Sequence, residues 1–200
     1  MANFHSKKSI ILFPYTTNNL MSQNNVISWS KHYFLGWSDF QAESNPATFE
    51  DAHSTIKYHY TWIVNSDIID SQIKFFIENI DLTTEFYPLL SWVRQPQATP
   101  ELLNHEQGHF DLAELLRLNI TAQIQNMFNG KKFSTRGQNH EQQKQFARED
   151  SGLMIANEVE KLEKYLFEQQ EEYDKQTNYG QIIEKQQEYD DMFKKLRHMF

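Results

Sequence analysis

Apolar and polar positions fall into two patterns along this chain. From Ser54 to Val64 they alternate: Ile56, Tyr58, Tyr60, Trp62 and Val64 share one face, with Thr55, Lys57, His59 and Thr61 on the other. A period of two, rich in aromatic and β-branched residues, predicts a half-buried strand. Gln72 to Ile80 and Phe86 to Val93 are further strand candidates, and Val26 to Trp29 and His32 to Trp37 are shorter ones. From Thr99 onward the period lengthens. Thr99 is placed as an N-cap with Pro100 at the first helical position. Leu102, Leu103, Phe110, Leu115, Leu118, Ile120 and Ile124 then follow until Asn129-Gly130 signals a stop. Lys131 to Asn139 reads as a polar loop. A second helix is predicted from Glu141 to about Thr177 on a seam of Ile155, Val159, Leu162, Leu166 and Tyr173, and Gly180 ends it. A third carries Ile182, Ile183, Tyr189, Phe193 and Leu196.

The expected fold is α+β: an N-terminal antiparallel sheet over 26–98, then a helical half over 99–200, in one domain. Residues 1–25 are expected to be a poorly ordered N-terminal segment. Lys7, Lys8 and the short apolar stretch Ile10 to Phe13 before Pro14 make a poor secretory signal.

Composition narrows the chemistry. Hydrophobic residues are 39% of the 200, enough for a core, and the net charge of -8 repels phosphate backbones, so no nucleic-acid partner is expected. No apolar run reaches the length of a membrane span. With no cysteine, disulfides and thiolate-held metals are excluded, and any metal falls to His, Asp, Glu or Tyr.

One motif meets that requirement. His105-Glu106-Gln107-Gly108-His109 lies inside the first predicted helix. Imidazoles at i and i+4 share a helix face, about 5–6 Å apart at Cβ, and both can reach one Zn2+ through bonds of about 2.0–2.1 Å. Glu106 projects beside that point, where a carboxylate can act as general base on a zinc-activated water. Gly108 costs roughly 1 kcal/mol in a helix interior relative to alanine, which points either to close packing against it or to plain tolerance. Asp111 is expected to orient a ligand imidazole from behind. Glu114 lies about 140° round the helix from His109, which disfavours it as a ligand. Trp92 and Val93, just before the helix, are candidates for an edge strand that pairs with extended peptide, although buried aromatics more often simply pack. The other six His show no ligand spacing.

The segment Leu103-Asn104-His105-Glu106-Gln107-Gly108-His109-Phe110-Asp111-Leu112-Ala113-Glu114 resembles the HEQGHFD(I/L)AE stretch of the DUF922 family, a largely bacterial group of zinc-dependent proteases. Three more segments agree in order. Ile27-Ser28-Trp29 with Leu35-Gly36-Trp37-Ser38-Asp39-Phe40 is similar to its "W…L.W.DF" stretch, Leu90-Ser91-Trp92-Val93 to its "SWV" strand, and Tyr173-Asp174-Lys175-Gln176-Thr177-Asn178-Tyr179-Gly180 to its "YDxxTxHG" segment. The resemblance covers most of 26–193. It implies a zincin-type metallopeptidase acting on a peptide or protein substrate, with His105 and His109 as zinc ligands and Glu106 as base. It also points to a periplasmic or secreted protein, against an N-terminus that leaves the cytoplasm open.

The departure is Tyr179, where the family pattern has His, the natural third ligand. Three outcomes stay open: Tyr179 approaches the metal as ligand or oxyanion donor, Asp174 supplies the third ligand, or the site is impaired and the chain is a binding protein on a zincin frame. A blander alternative is a helical structural protein whose His pair is accidental.

Overall fold

The computed structural model describes residues 11–14, 26–70 and 72–199. Of the N-terminal segment 1–25 only strand β1 (Ile11–Pro14) is among them, so the expectation of poor order there falls outside the described residues. The fold is mixed α+β, an N-terminal antiparallel sheet followed by a C-terminal helical half.

The strands are β1, β2 (Ile27–Ser28), β3 (Ala52–His53), β4 (Ile56–Ile69), β5 (Gln72–Phe86), β6 (Trp92–Val93) and β7 (Phe133–Ser134). The helices are α1 (Pro100–Phe128), α2 (His140–Thr177) and α3 (Ile183–His198). The larger sheet runs β1-β4-β5-β2, with β7 also on β5, and β3 pairs with β6 as a separate two-stranded ladder. Among the described residues, no helix is long and apolar enough to cross a membrane.

The alternating pattern of β4 arises as expected, with Tyr58 and Trp62 buried on one face. Two strand expectations need correction. His32 to Trp37 is loop and turn, because the Gly36 N–H donates to Asp39 Oδ2 (2.8 Å) and the chain enters a 3-10 turn at Trp37–Asp39. Phe86 to Val93 is not one strand either. Phe86 closes β5, Pro88 opens a 3-10 turn through Leu90, and only Trp92–Val93 is extended. Proline has no N–H to give a ladder, which is why pairing stops there. The loop at 131–139 does contain a strand, β7, paired through Phe75↔Phe133 and Lys74↔Ser134.

Backbone contacts divide the chain into two units, and β4, β5, α1 and α2 each run from one into the other. The first unit comprises β1, Tyr60–Leu82 and Ile120–Lys161. Its interior holds Phe75, Ile77, Ile124, Phe128 and Ile155, with Phe133 tilted on Phe75 at 5.4 Å. The Trp62 indole N–H there donates to Ser151 Oγ at 3.0 Å. The second unit holds the rest of the described chain from Val26. One of its clusters joins Leu35, Phe40, Ala52, Phe86, Val93 and Phe110, and another joins Leu112, Tyr173 and Phe193. Phe110 and Leu112 stand on opposite sides of α1, one in each cluster, so the helix is packed on two sides; burying such side chains contributes about 1.5–3 kcal/mol each. Packing on two sides holds the polar residues of this stretch of α1 in place.

Candidate metal centre

The centre lies wholly in the second unit, on α1 and the end of α2. Thr99 caps α1, its Oγ1 accepting the Leu102 N–H at 3.2 Å, as its sequence position suggested. His105, Glu106 and His109 follow on the first turns and are all buried. Asp174 is on the last turn of α2. Its Oδ1 lies 3.0 Å from His105 Nε2 and 3.0 Å from His109 Nε2. One ligand atom from each residue lies within 4.8 Å of the other two, and the three form a group that could hold a metal ion.

The donor set fits that use. Ligand atoms about a tetrahedral ion with bonds of about 2.0–2.1 Å stand roughly 3.3 Å apart, and the two 3.0 Å separations at Asp174 Oδ1 are close to that spacing. Two imidazoles and a carboxylate are also hard-to-borderline donors of the kind divalent cations take. Charge is already arranged for one. Burial would raise the Asp174 carboxyl, yet its bonds to His105 and His109 hold it well below the usual carboxylate range. Burial would lower His109, and the hydrogen bond and charge of Asp174 outweigh it, so the net shift is upward.

The chain ends α2 so as to bring a second side chain over this group. Tyr179 N–H donates to Asp174 O (3.0 Å) and Ile182 N–H to Thr177 O (2.8 Å). Asn178, Tyr179 and Gly180 all take positive φ, at 47°, 54° and 81°. A left-handed conformation costs a non-glycine residue roughly 1–2 kcal/mol, and strain of this kind concentrates at functional sites. Tyr179 is half exposed, its ring centroid 6.4 Å from that of His105. Burial first, and then the Asp174 charge, push its hydroxyl pKa up, so the O–H is kept. Of the alternatives for the third donor, Asp174 is the one within contact distance of both imidazoles.

Glu106, His109, Asp174 and Tyr179 line one cavity of about 540 Å³, together with Ala52–Ser54, the 167–175 stretch of α2 and Asn178 just after it. Ser54 Oγ donates to Glu106 Oε2 at 2.6 Å, fixing that carboxylate. His53, read from the sequence as an ordinary histidine, stands in the cavity wall and stacks on Trp92 at 6.2 Å. Trp92 and Val93, expected at substrate, are buried and do not line the cavity. They pair instead with β3 (His53↔Trp92, Ala52↔Val93), and β3 is the strand beside the centre. That displacement is a matter of pairing between segments forty residues apart, which local pattern does not encode.

Two further expectations resolve. Gly108 answers to close packing: a Cβ there would collide with the Tyr173 hydroxyl and lie 2.8 Å from its Cζ. Asp111 does not orient a histidine. It accepts from Trp29 Nε1 (2.7 Å), Gln107 Nε2 (3.1 Å) and Arg197 Nε (3.0 Å), tying α1 to α3 and to the 29–35 segment. Glu114, disfavoured on geometry, is held by Thr84 and Arg117 away from the centre.

Comparison of the chain with known family models, with curated proteins and with solved structures gives no match in any of the three. The centre therefore has to be read from its own residues. Sequence reasoning missed Ser54 and Gln186. Ser54 has no motif around it, and Gln186 is one of several glutamines in a polar helix. Nothing local distinguishes either residue; only the fold does.

Proposed function

We propose that this protein is a zinc-dependent metallopeptidase. The observation that carries the reading is the meeting of His105 Nε2 and His109 Nε2 at Asp174 Oδ1 with Glu106 in the same cavity. The resemblance to the DUF922 proteases in four ordered segments supports it, and the His/His/Asp set is of the N/O type that catalytic zinc takes with three protein ligands. Zinc held there would polarise a scissile carbonyl and lower the pKa of water at the centre.

The chain's own groups supply the rest. Ser54 occupies Glu106 Oε2, which leaves Oε1 to take a proton from the attacking water and return it to the departing amine. Tyr179, with its hydroxyl protonated, is a donor for the oxyanion that develops at the carbonyl. An extended peptide would run along β3, beside His53 and Ser54, with α2 as the opposite wall.

The competing reading is a binding protein on the same frame, motivated by Tyr179 in place of His. Asp174 weakens that motive by standing where a third ligand is needed. The test is elemental analysis with a cleavage assay on an unstructured polypeptide. About one zinc per chain is expected. Glu106→Gln should keep the zinc and lose roughly 10²–10⁴-fold in cleavage rate. Absence of bound zinc, or a variant as active as wild type, overturns the proposal. Zinc without chelator-sensitive cleavage would hand the case to the binding protein.

A further inference from the structure

We propose that Gln186 is the positioning residue that holds the His105 imidazole through its Nδ1–H, and through it sets the grip of the centre on its ion. This builds on the metal-centre reading above, but the central observation does not need an ion.

Gln186 is buried near the start of α3, with Oε1 3.2 Å from His105 Nδ1. An amide can be placed either way round, so its neighbours decide which end faces the imidazole. Here they do. Gln186 Nε2 stands 2.8 Å from Asp190 Oδ1, and a carboxylate accepts. Asp190 Oδ2 in turn takes the Asn104 Nδ2–H at 2.9 Å, which ties that carboxylate to α1. The second Nε2 hydrogen goes to the Tyr173 hydroxyl oxygen at 2.9 Å. Turning the amide over would set its carbonyl against the Asp190 carboxylate and lose that bond, whereas the Tyr173 hydroxyl, which can donate or accept, is satisfied either way round. Oε1 must therefore face His105.

The other neighbour of Nδ1 agrees. Thr177 gives its hydroxyl hydrogen to Tyr173 O at 2.7 Å, so its oxygen offers His105 Nδ1 only a lone pair, at 3.5 Å. Both groups facing Nδ1 are acceptors, and the proton belongs on Nδ1. Nε2, 3.0 Å from Asp174 Oδ1, also faces an acceptor and gives its hydrogen to that carboxylate, so a cation would displace the Nε2 proton while Nδ1–H stays with Gln186. The ring cannot readily turn away. Tyr173 stacks on it at 4.5 Å and 18°, and any Cβ at Gly180 would lie 2.9 Å from His105 Cβ. The result is a relay in which Asp190 orients Gln186 and Gln186 orients His105. Such outer partners typically change metal affinity 10–100-fold when removed.

The experiment uses the full chain with ¹⁵N-labelled histidine, free of metal, and then zinc titration against a chromophoric chelator. Wild type should show a protonated, pyrrole-type Nδ1 at His105 without metal, and the same Nδ1 with only Nε2 shifted once zinc is added. Gln186→Leu should lose that signature and weaken zinc binding by roughly 10–100-fold. The double variant Gln186→Glu with Asp190→Asn keeps an acceptor at 186 and a donor at 190, and should restore both readouts; a residue that only fills space would not be rescued this way. If the leucine variant does not fold, Asp190→Asn alone decides, because an amide at 190 releases the lock on Gln186 and should weaken both the Nδ1–H signature and zinc binding. An unchanged His105 signature and a zinc affinity within about twofold of wild type in Gln186→Leu, or in Asp190→Asn, overturn the inference. Wild type that shows the signature yet binds no zinc defeats the metal-centre reading and leaves the orienting role of Gln186 standing.

Discussion

Two polar pairs, each four residues apart, share one stretch of α1 and are buried to a similar degree. They are His105 with His109, and Gln107 with Asp111. The second pair is closed. Gln107 Oε1 accepts the Leu35 N–H at 2.7 Å and its Nε2 donates to Asp111, whose two oxygens take Trp29 and Arg197. Arg197 spends its remaining donors on the carbonyls of Ser30, Lys31 and Tyr33. The first pair is convergent. Two Nε2 atoms crowd one carboxylate oxygen, and among the described residues no Lys or Arg side chain pairs with the three groups. Burial of polar groups is thus not itself a sign of function. A group whose every atom meets its own complementary partner holds the fold together, whereas two imidazoles that share a single carboxylate oxygen bring three potential ligand atoms to one point.

The contrast can be broken at either pair. The largest effect is expected from Asp111→Ala, which leaves the Arg197 guanidinium buried without its carboxylate. Loss of one partner of such a pair costs about 3–5 kcal/mol, and denaturant unfolding should show it with or without zinc. Zinc itself should act only through the convergent pair. At a free concentration about 100 times Kd it adds about 2.7 kcal/mol to wild-type stability. In His109→Ala, calorimetry should show zinc leaving Tm unchanged; an equal rise in that variant would mean that the ion binds elsewhere. Gly108→Ala sits between the pairs and probes both. Its methyl must displace the Tyr173 hydroxyl, and overpacking of this sort costs about 1–3 kcal/mol. It should also loosen zinc binding, because Tyr173 stacks on His105.

How far the sequence reveals this arrangement depends on the distance over which each part is decided. The boundaries of α1 and α2 follow from local signals, Thr99-Pro100 and Asn129-Gly130 at one helix and the seam down to Tyr173 at the other, and the structure places them within a residue or two. The His pair is legible for the same reason, since four residues on a helix fix its geometry. Asp174 lies 69 residues from His105 and could be suggested only by resemblance to a longer pattern. The strand beside the centre was expected to be β6 and is β3, because burial of Trp92 and Val93 is decided by their pairing partners. Gln186 had no signal at all: its meaning depends on Asp190 beside it and His105 across from it.

The end of α2 has a consequence for traffic. His105 is 1% exposed and is closed in by Tyr173, Gln186 and Gly180, so the centre is open on the cavity side alone, where Asp174 and Tyr179 stand. An ion that enters or leaves passes that rim. For an ion held there, that rim is a helix end wound over three left-handed residues, whose local opening is much smaller than unfolding of the chain. Loading and loss of the ion should run on the clock of that turn.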